Sequence, residues 1–186
     1  MTDPTYPLTS KRRRLPDEGV LEVFVANEQA DHPVDTARWQ LLAEQVLDAE
    51  GIRGDAELSL LFVDELTITE LNERFMGVDE ATDVLAFPIE DDAVAAGRWP
   101  DNSGSGPTGH RDDPGDPPLL LGDVVVCPKV AAANAPMHAG TYDDELALLV
   151  VHGVLHVLGM DHADPDEEIV MQAKERALLE RFHKPA

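Results

Sequence analysis

Residues 141–162 read TYDDELALLVVHGVLHVLGMDH, and this segment organises the rest of the chain. Thr141 and Asp144 form a capping pair at its start, and Gly159 ends the helix that the pattern predicts. Between these points the side chains are apolar nearly all round, which is typical of a helix enclosed by other elements. The segment therefore predicts a buried central helix that ends near Leu158.

Two histidines lie four residues apart on this helix. His152 and His156 project from one face about 5–6 Å apart, and a left-handed Gly159 would let His162 turn back toward the same point. Three neutral nitrogen ligands leave one tetrahedral position open, as in catalytic zinc sites. Water bound there, with its pKa lowered toward ~7, is a source of hydroxide for hydrolysis. We therefore expect one zinc ion per chain, bound by His152, His156 and His162.

The spacing HxxxHxxGxxH is also that of the metzincin proteases, in which a Glu after the first His acts as the general base. Gly153 occupies that position here. A glycine cannot accept a proton from bound water, so the pattern disfavours a protease although it keeps the metal ligands. A metalloprotease-like hydrolase remains the alternative, and comparing peptide with RNA cleavage would separate the two.

The flanking segments alternate between strand and helix patterns. Strands are expected at 20–25, 57–63, 82–87 and 119–127, with helices after Asp35, after a Thr67/Glu70 capping box, after Pro128 and after Asp164. The last helix is expected to face inward through Val170, Ala173, Ala177 and Leu178. This order predicts an α+β fold, a small mixed β-sheet with packed helices whose central helix carries the zinc-binding segment.

Composition limits the class of protein. The chain has 186 residues, a net charge of −23 and one cysteine, Cys127, which we expect to be a small buried hydrophobe. One domain over 20–186 is expected from the length, no membrane span is expected because no long apolar run occurs, and the single cysteine predicts a reducing, cytoplasmic location. The acidity disfavours a broad basic face for nucleic acid, and no DNA partner is expected.

Two segments show no periodic pattern. Residues 1–19 hold three prolines and the basic run Lys11 to Arg14, and they are expected to form a disordered tail. Residues 90–118 are rich in Gly, Pro and Asp and are expected to form a flexible loop within the single metal-dependent hydrolase domain. Outside the zinc segment, His32, His110, His138 and His183 are expected to be solvated.

Three motifs together resemble one family. HGVLHVLGMDH (152–162), LGDVVVCP (121–128) and TDVLAFP (82–88) are similar to the YbeY family of bacterial ribosomal RNA maturation endoribonucleases, over nearly all of residues 20–183. The resemblance implies one zinc on His152, His156 and His162. It also implies a single-strand-specific endoribonuclease that acts on the ribosome or its small subunit, at the 3′ end of 16S ribosomal RNA and in ribosome quality control. A non-catalytic ribosome-assembly factor with a structural zinc is a further alternative.

The segment LNERFMGVDEATDVLAFP (71–88) departs from the family pattern at two places. Met76 stands where the family has an arginine associated with activity, and Ala86 stands where a serine is usual. Arg74, two residues earlier, could replace the cation only if the helix has ended there. Asp161 could orient a histidine, and Asp123 could lie at a strand bend near the site, although both are also ordinary turn residues. Arg74 and Asp161 are thus tentative catalytic candidates, and the general base is unassigned.

Overall fold

A computed structural model describes residues 12–14, 20–89, 108–109, 118–160 and 165–184. Over these residues the strands are β1 (Arg12–Arg14), β2 (Val20–Asn27), β3 (Arg53–Gly54), β4 (Ala56–Phe62), β5 (Val84–Pro88), β6 (Thr108–Gly109) and β7 (Leu119–Val126). The helices are α1 (Thr36–Ala49), α2 (Glu65–Met76), α3 (Pro128–Asn134), a 3₁₀ turn (Ala135–Met137), α4 (Tyr142–Val157) and α5 (Pro165–Phe182).

Five strands form one mixed sheet in the order β1-β2-β4-β7-β5. The central pairs β2/β4 and β4/β7 are parallel, whereas β5 and β1 lie antiparallel at the two edges. A second, two-stranded sheet joins β3 and β6. The predicted α+β fold with a small mixed sheet is therefore confirmed.

Helices cover both faces of the main sheet. Side chains of α1, α4 and α5 pack with Leu58, Leu60 and Val124 in the larger core cluster. On the other face, Ile68 of α2 packs with Val125 in a smaller cluster. Because neighbouring residues of a strand point to opposite faces, Val124 and Val125 of β7 serve the two cores separately.

Most element boundaries agree with the sequence expectations, and α2 shows why one does not. We expected Thr67 and Glu70 to cap it, but the helix begins at Glu65 and Asp64 is the capping residue. The Thr67 backbone N–H donates to Asp64 Oδ1 at 2.8 Å, and this bond holds the pKa of the Asp64 carboxyl below its usual range. A carboxylate one turn earlier has displaced the expected cap.

The expected tail and loop fall mostly outside the described residues. Within the tail, Arg12–Arg14 form strand β1 opposite Val20–Glu22, which differs from the disorder expected there. Within the loop, Thr108–Gly109 pair with Arg53–Gly54. Elsewhere in 1–19 and 90–118 both expectations stay predictions.

Helix α5 presents a different face to the core from the one expected. Val170, Ala173 and Ala177 are exposed, and the buried residues are Met171, Glu175 and Leu178. Leu178 is buried as expected, but the expectation was wrong for the other three residues because it excluded a charged residue from the inward stripe.

No helix in the described parts of the chain is both long enough and apolar enough to cross a membrane.

A buried histidine ties the end of α5 to the start of α4. His183 was expected to be solvated, but its side chain is 7% exposed and its Nε2 lies 2.7 Å from Asp144 Oδ1. His138, although half exposed, is held by the buried Glu145, with 3.1 Å between Nδ1 and Oε1. His32 is half-buried beside Tyr142, with ring centroids 5.6 Å apart. These histidines support the fold, and His110 lies outside the described residues.

We predict that Asp144→Asn lowers the free energy of unfolding by about 1 kcal/mol at pH 7. Hydrogen bonds from Thr141 and then His183 hold the pKa of the Asp144 carboxyl below its usual range. A lowered pKa in the folded state stabilises the fold above the unfolded-state pKa, and this stabilisation is lost as pH falls through the folded value. The difference from wild type should therefore shrink below about pH 4, as measured by urea unfolding across pH.

The neighbouring Asp143→Asn is the control, because the ion pair of Asp143 with Arg38 is more exposed. Pairs of this kind contribute about 0–1 kcal/mol, so its effect should be smaller. Equal effects of the two substitutions at pH 7 would contradict the tie between Asp144 and His183.

Candidate functional site

His152 and His156 lie on α4 with their rings turned toward each other. The ring centroids are 4.5 Å apart and the ring planes are inclined by 76°. The two Nε2 atoms are 3.1 Å apart. The structure thus brings together two of the three predicted ligands, and it directs the same nitrogen of each toward one point.

This separation suits a metal ion. Two nitrogens bound to tetrahedral zinc at about 2.0–2.1 Å are roughly 3.3–3.4 Å apart, only slightly more than the distance between the two Nε2 atoms. His162 and Asp161, which the sequence analysis placed at the same site, lie outside the described residues. Within the described residues no group of three or more potential metal ligands occurs, so assignment of the full ligand set stays a prediction.

Glu175 on α5 holds the other side of the His152 ring. Its Oε1 lies 2.6 Å from His152 Nδ1, and the residue is 8% exposed. An ionised carboxylate only accepts hydrogen bonds, so Nδ1 carries the hydrogen in this contact. In the neutral imidazole the lone pair then resides on Nε2, the nitrogen that faces His156.

The sequence analysis missed Glu175. A signal existed, since Met171, Glu175 and Leu178 follow helical spacing on one face, but the charge argued against burial. The partner that makes this burial possible, His152, lies 23 residues earlier in the chain.

A shallow cavity opens beside His152, whose side chain is 27% exposed. The cavity encloses about 180 Å³ and is lined by His152, Glu168, Met171, Gln172 and Glu175. A larger cavity of about 880 Å³ lies further along α5 toward His183 and shares Gln172 and Glu175 with it. Of the two histidines, His152 therefore borders the cavity on the flank of α4 where α5 packs.

Arg74 lies within helix α2 and not beyond its end. Helix α2 continues through Arg74 to Met76, so the condition set for that substitution is not met. The Arg74 guanidinium lies 5.2 Å from the ring centroid of Phe75, and this ring meets the edge strand through Phe87 at 5.0 Å. Arg74 and Met76 are both exposed, and no described contact joins Arg74 to the two histidines.

Three other residues that were discussed from the sequence lie on the main sheet or directly after one of its strands. Asp123 lies on β7 with Val125, on the face opposite α4, so it is away from the histidines. Ala86 packs against the larger core. Cys127 is fully buried, and burial raises the pKa of its thiol, which confirms the expected small hydrophobe.

Gly153 packs directly on the sheet. A Cβ atom at this position would lie 2.4 Å from Val124 Cγ1 and 3.4 Å from Val84 Cγ2. A glutamate side chain therefore has no room where metzincin proteases carry their general base. The absence of that base has a packing reason in this fold.

The family model described as "Endoribonuclease YbeY" matches residues 24–183 of this chain. The chain belongs to this family. A relative from Frankia casuarinae named Endoribonuclease YbeY is 45% identical over 159 residues, which cover 86% of this chain and 73% of the relative. A relative of the same name from Salinispora tropica is 44% identical and is covered to 94%.

A solved structure has the same fold. The solution structure of TM1509 from Thermotoga maritima matches with a TM-score of 0.53 and 25% identity, covering 86% of this chain and 88% of that one. The family resemblance predicted from the three motifs is thereby confirmed.

We predict that Gly153→Ala destabilises the protein by about 1–3 kcal/mol through overpacking, as measured by thermal or urea unfolding. Helix propensity alone would instead make the variant more stable, since Ala is about 1 kcal/mol more favourable than Gly inside a helix. The double variant Gly153→Ala/Val124→Ala should regain roughly 1 kcal/mol relative to additivity. A stabilised single variant would show that α4 does not pack this closely.

Proposed function

We propose that this chain is an endoribonuclease that cleaves ribosomal RNA during its processing, using one zinc ion held by His152, His156 and His162. The observation that carries the proposal is the convergence of the two Nε2 atoms at 3.1 Å, with Nδ1 of His152 engaged by a buried carboxylate. Membership of a family described as endoribonucleases supplies the substrate class.

The proposed chemistry assigns distinct tasks to the metal and to the chain. When bound, zinc supplies a Lewis acid and lowers the pKa of bound water, so that hydroxide is available at neutral pH. His152 and His156 hold the ion through Nε2, and Glu175 holds the ring of His152. Gly153 has no side chain that could accept a proton, so the general base lies elsewhere.

RNA contact depends on cations that are not already paired. Among the described residues, Arg38, Lys129 and Lys174 form ion pairs with carboxylates. No ion pair within the described chain involves the exposed residues Arg74, Arg176, Arg181 and Lys184. A phosphate backbone can gain most from such unpaired cations, because they need not release a protein carboxylate first.

One exposed aromatic ring supports a preference for single strands. Phe75 is 55% exposed, carries the Arg74 guanidinium over its ring and contacts Phe87 edge-on. Unpaired bases stack on exposed aromatic rings and on guanidinium planes, and the sequence tolerance of stacking suits single-stranded RNA. We therefore propose that α2 and β5 contribute a single-strand contact.

The finer assignment follows the family resemblance. We propose that the substrate is the 3′ end of 16S ribosomal RNA, that the partner is the ribosome or its small subunit, that the enzyme also acts in ribosome quality control, and that it works in the cytoplasm. Two alternatives stay distinguishable. A metalloprotease is disfavoured by the packing of Gly153, and a non-catalytic assembly factor would bind RNA without cleaving it.

We predict that the purified wild-type protein contains one zinc per chain and cleaves single-stranded ribosomal RNA, whereas His156→Ala loses both zinc and cleavage. The reason is that two of the proposed ligands converge through Nε2, and removing one leaves too few. Elemental analysis gives the zinc content, and a fluorescent RNA substrate gives the cleavage rate.

His138→Ala is the matched control. His138 is also held by a carboxylate, Glu145, but it lies apart from the histidine pair and should leave zinc content and cleavage unchanged. Peptide cleavage by the wild type in place of RNA cleavage would favour the protease. Zinc-dependent folding with RNA binding and no cleavage would favour the assembly factor.

We predict that Arg74→Ala lowers the affinity for single-stranded RNA by several-fold. The substitution removes a cation and one of the two groups, the Arg74 guanidinium and the Phe75 ring, on which a base is proposed to stack, and such stacking is worth about 1–3 kcal/mol per base. Arg181→Ala is the control for charge alone, since Arg181 is also a cation stacked on an aromatic ring, Phe182 at 4.8 Å, but on α5, and its loss of affinity should be smaller. Fluorescence anisotropy measures both affinities. Equal losses in the two variants would indicate a general charge effect and contradict a contact at Arg74.

A further inference from the structure

Glu175 is a carboxylate on the inward face of α5, where the neighbouring buried residues are Met171 and Leu178. Burying an ionised carboxylate costs several kcal/mol unless it is hydrogen-bonded or paired. The hydrogen bond from His152 Nδ1, at 2.6 Å, is short and well placed to offset this cost. The burial of this carboxylate therefore depends on its contact with His152.

We propose that Glu175 is a positioning residue for zinc, which fixes the tautomer and the ring direction of His152. A neutral imidazole has two tautomers, and only the one with hydrogen on Nδ1 offers the Nε2 lone pair toward His156. The Glu175 carboxylate selects that tautomer because it can only accept a hydrogen bond. This inference rests on the proposed function, since it requires that His152 binds the metal.

The contact also restrains the ring in space. His152 is partly exposed on the flank of α4, and the contact with Glu175 adds to the restraint that the neighbouring His156 ring provides. Glu175 belongs to a helix that is itself anchored in the core by Met171 and Leu178, which are 1% and 6% exposed. Because Glu175 is held in place by α5, its hydrogen bond to Nδ1 also fixes the direction of His152 Nε2 toward His156.

Charge adds a second contribution. Three neutral histidines leave the full charge of a divalent ion uncompensated, and a carboxylate hydrogen-bonded to one of them raises the basicity of that ligand. Glu175 places its negative charge one imidazole away from the proposed ion. It thus favours zinc binding without occupying the position that water or substrate needs.

A purely structural role for Glu175 would be to tie α5 to α4. The molecule contains a matched contact of this kind, His183 Nε2 to Asp144 Oδ1 at 2.7 Å, which joins the residue after α5 to the first turn of α4. The two contacts resemble each other in chemistry and in the elements that they connect. They differ in that only Glu175 touches a proposed zinc ligand, so His183→Gln is the appropriate control.

The experiment compares zinc affinity in the full-length wild type, Glu175→Ala, Glu175→Gln and His183→Gln by competition with a chromophoric chelator. Loss of a carboxylate that orients a metal-bound histidine typically weakens binding by about 10–100-fold, and Glu175→Ala should fall in this range. Glu175→Gln keeps an acceptor oxygen but loses the charge, so its loss should be smaller. His183→Gln should bind zinc within about twofold of wild type.

A second measurement needs no metal. Nitrogen-15 NMR of the histidine rings in the zinc-free protein should show His152 with hydrogen on Nδ1 in the wild type and a mixture of tautomers in Glu175→Ala. Circular dichroism of each variant verifies that it is folded. If Glu175→Ala fails to fold, the comparison rests on Glu175→Gln, for which a weaker affinity than that of His183→Gln is still expected.

The outcomes separate this inference from the proposed function. A wild-type protein that binds no zinc would overturn the zinc centre itself. If the wild type binds zinc and both Glu175→Gln and Glu175→Ala bind it with wild-type affinity, only the positioning role would be overturned. Equal weakening in the Glu175 variants and His183→Gln would show that Glu175 acts as a structural tie, and it would overturn the inference in the same way.

Discussion

The close contact between the central helix and the sheet at Gly153 is the constraint on which the rest of the structure depends. Because no Cβ separates this turn of α4 from Val124, the rotation of the helix about its axis is set. At 3.6 residues per turn, His152 and His156 then lie roughly 60–100° around the helix from the sheet. They emerge on the flank where α5 packs, and this explains why their partner is Glu175 on that helix.

The fold could be predicted from the sequence wherever one local pattern had no competitor. The apolar run of α4, the cap at Thr141 and the β-branched strand at Val124–Val126 each allow a single interpretation, and the structure agrees. At the start of α2 the expected Thr67/Glu70 cap was wrong, because Asp64 caps the helix three residues earlier. The i, i+4 spacing likewise predicted that His152 and His156 would share a face.

The site could not be completed from the sequence because burial of a charge depends on a distant partner. Periodicity alone permits two inward stripes on α5, and hydropathy favours the one with Val170 and Ala177. The structure selects the stripe with Glu175, since His152 offers a hydrogen bond that the apolar stripe does not need. A pattern within one helix carries no information about that donor.

A chain with a net charge of −23 that acts on a polyanion must confine its attraction to a few places. Charges separated by more than about 8 Å are largely screened at physiological salt, so the acidic surface repels RNA mainly where the two are in contact. Under the proposed function, zinc and the exposed arginines that form no ion pair among the described residues provide the local positive charge. The acidity of the remaining surface then favours contact through these groups over contact elsewhere, and selectivity for accessible single strands follows from this restriction.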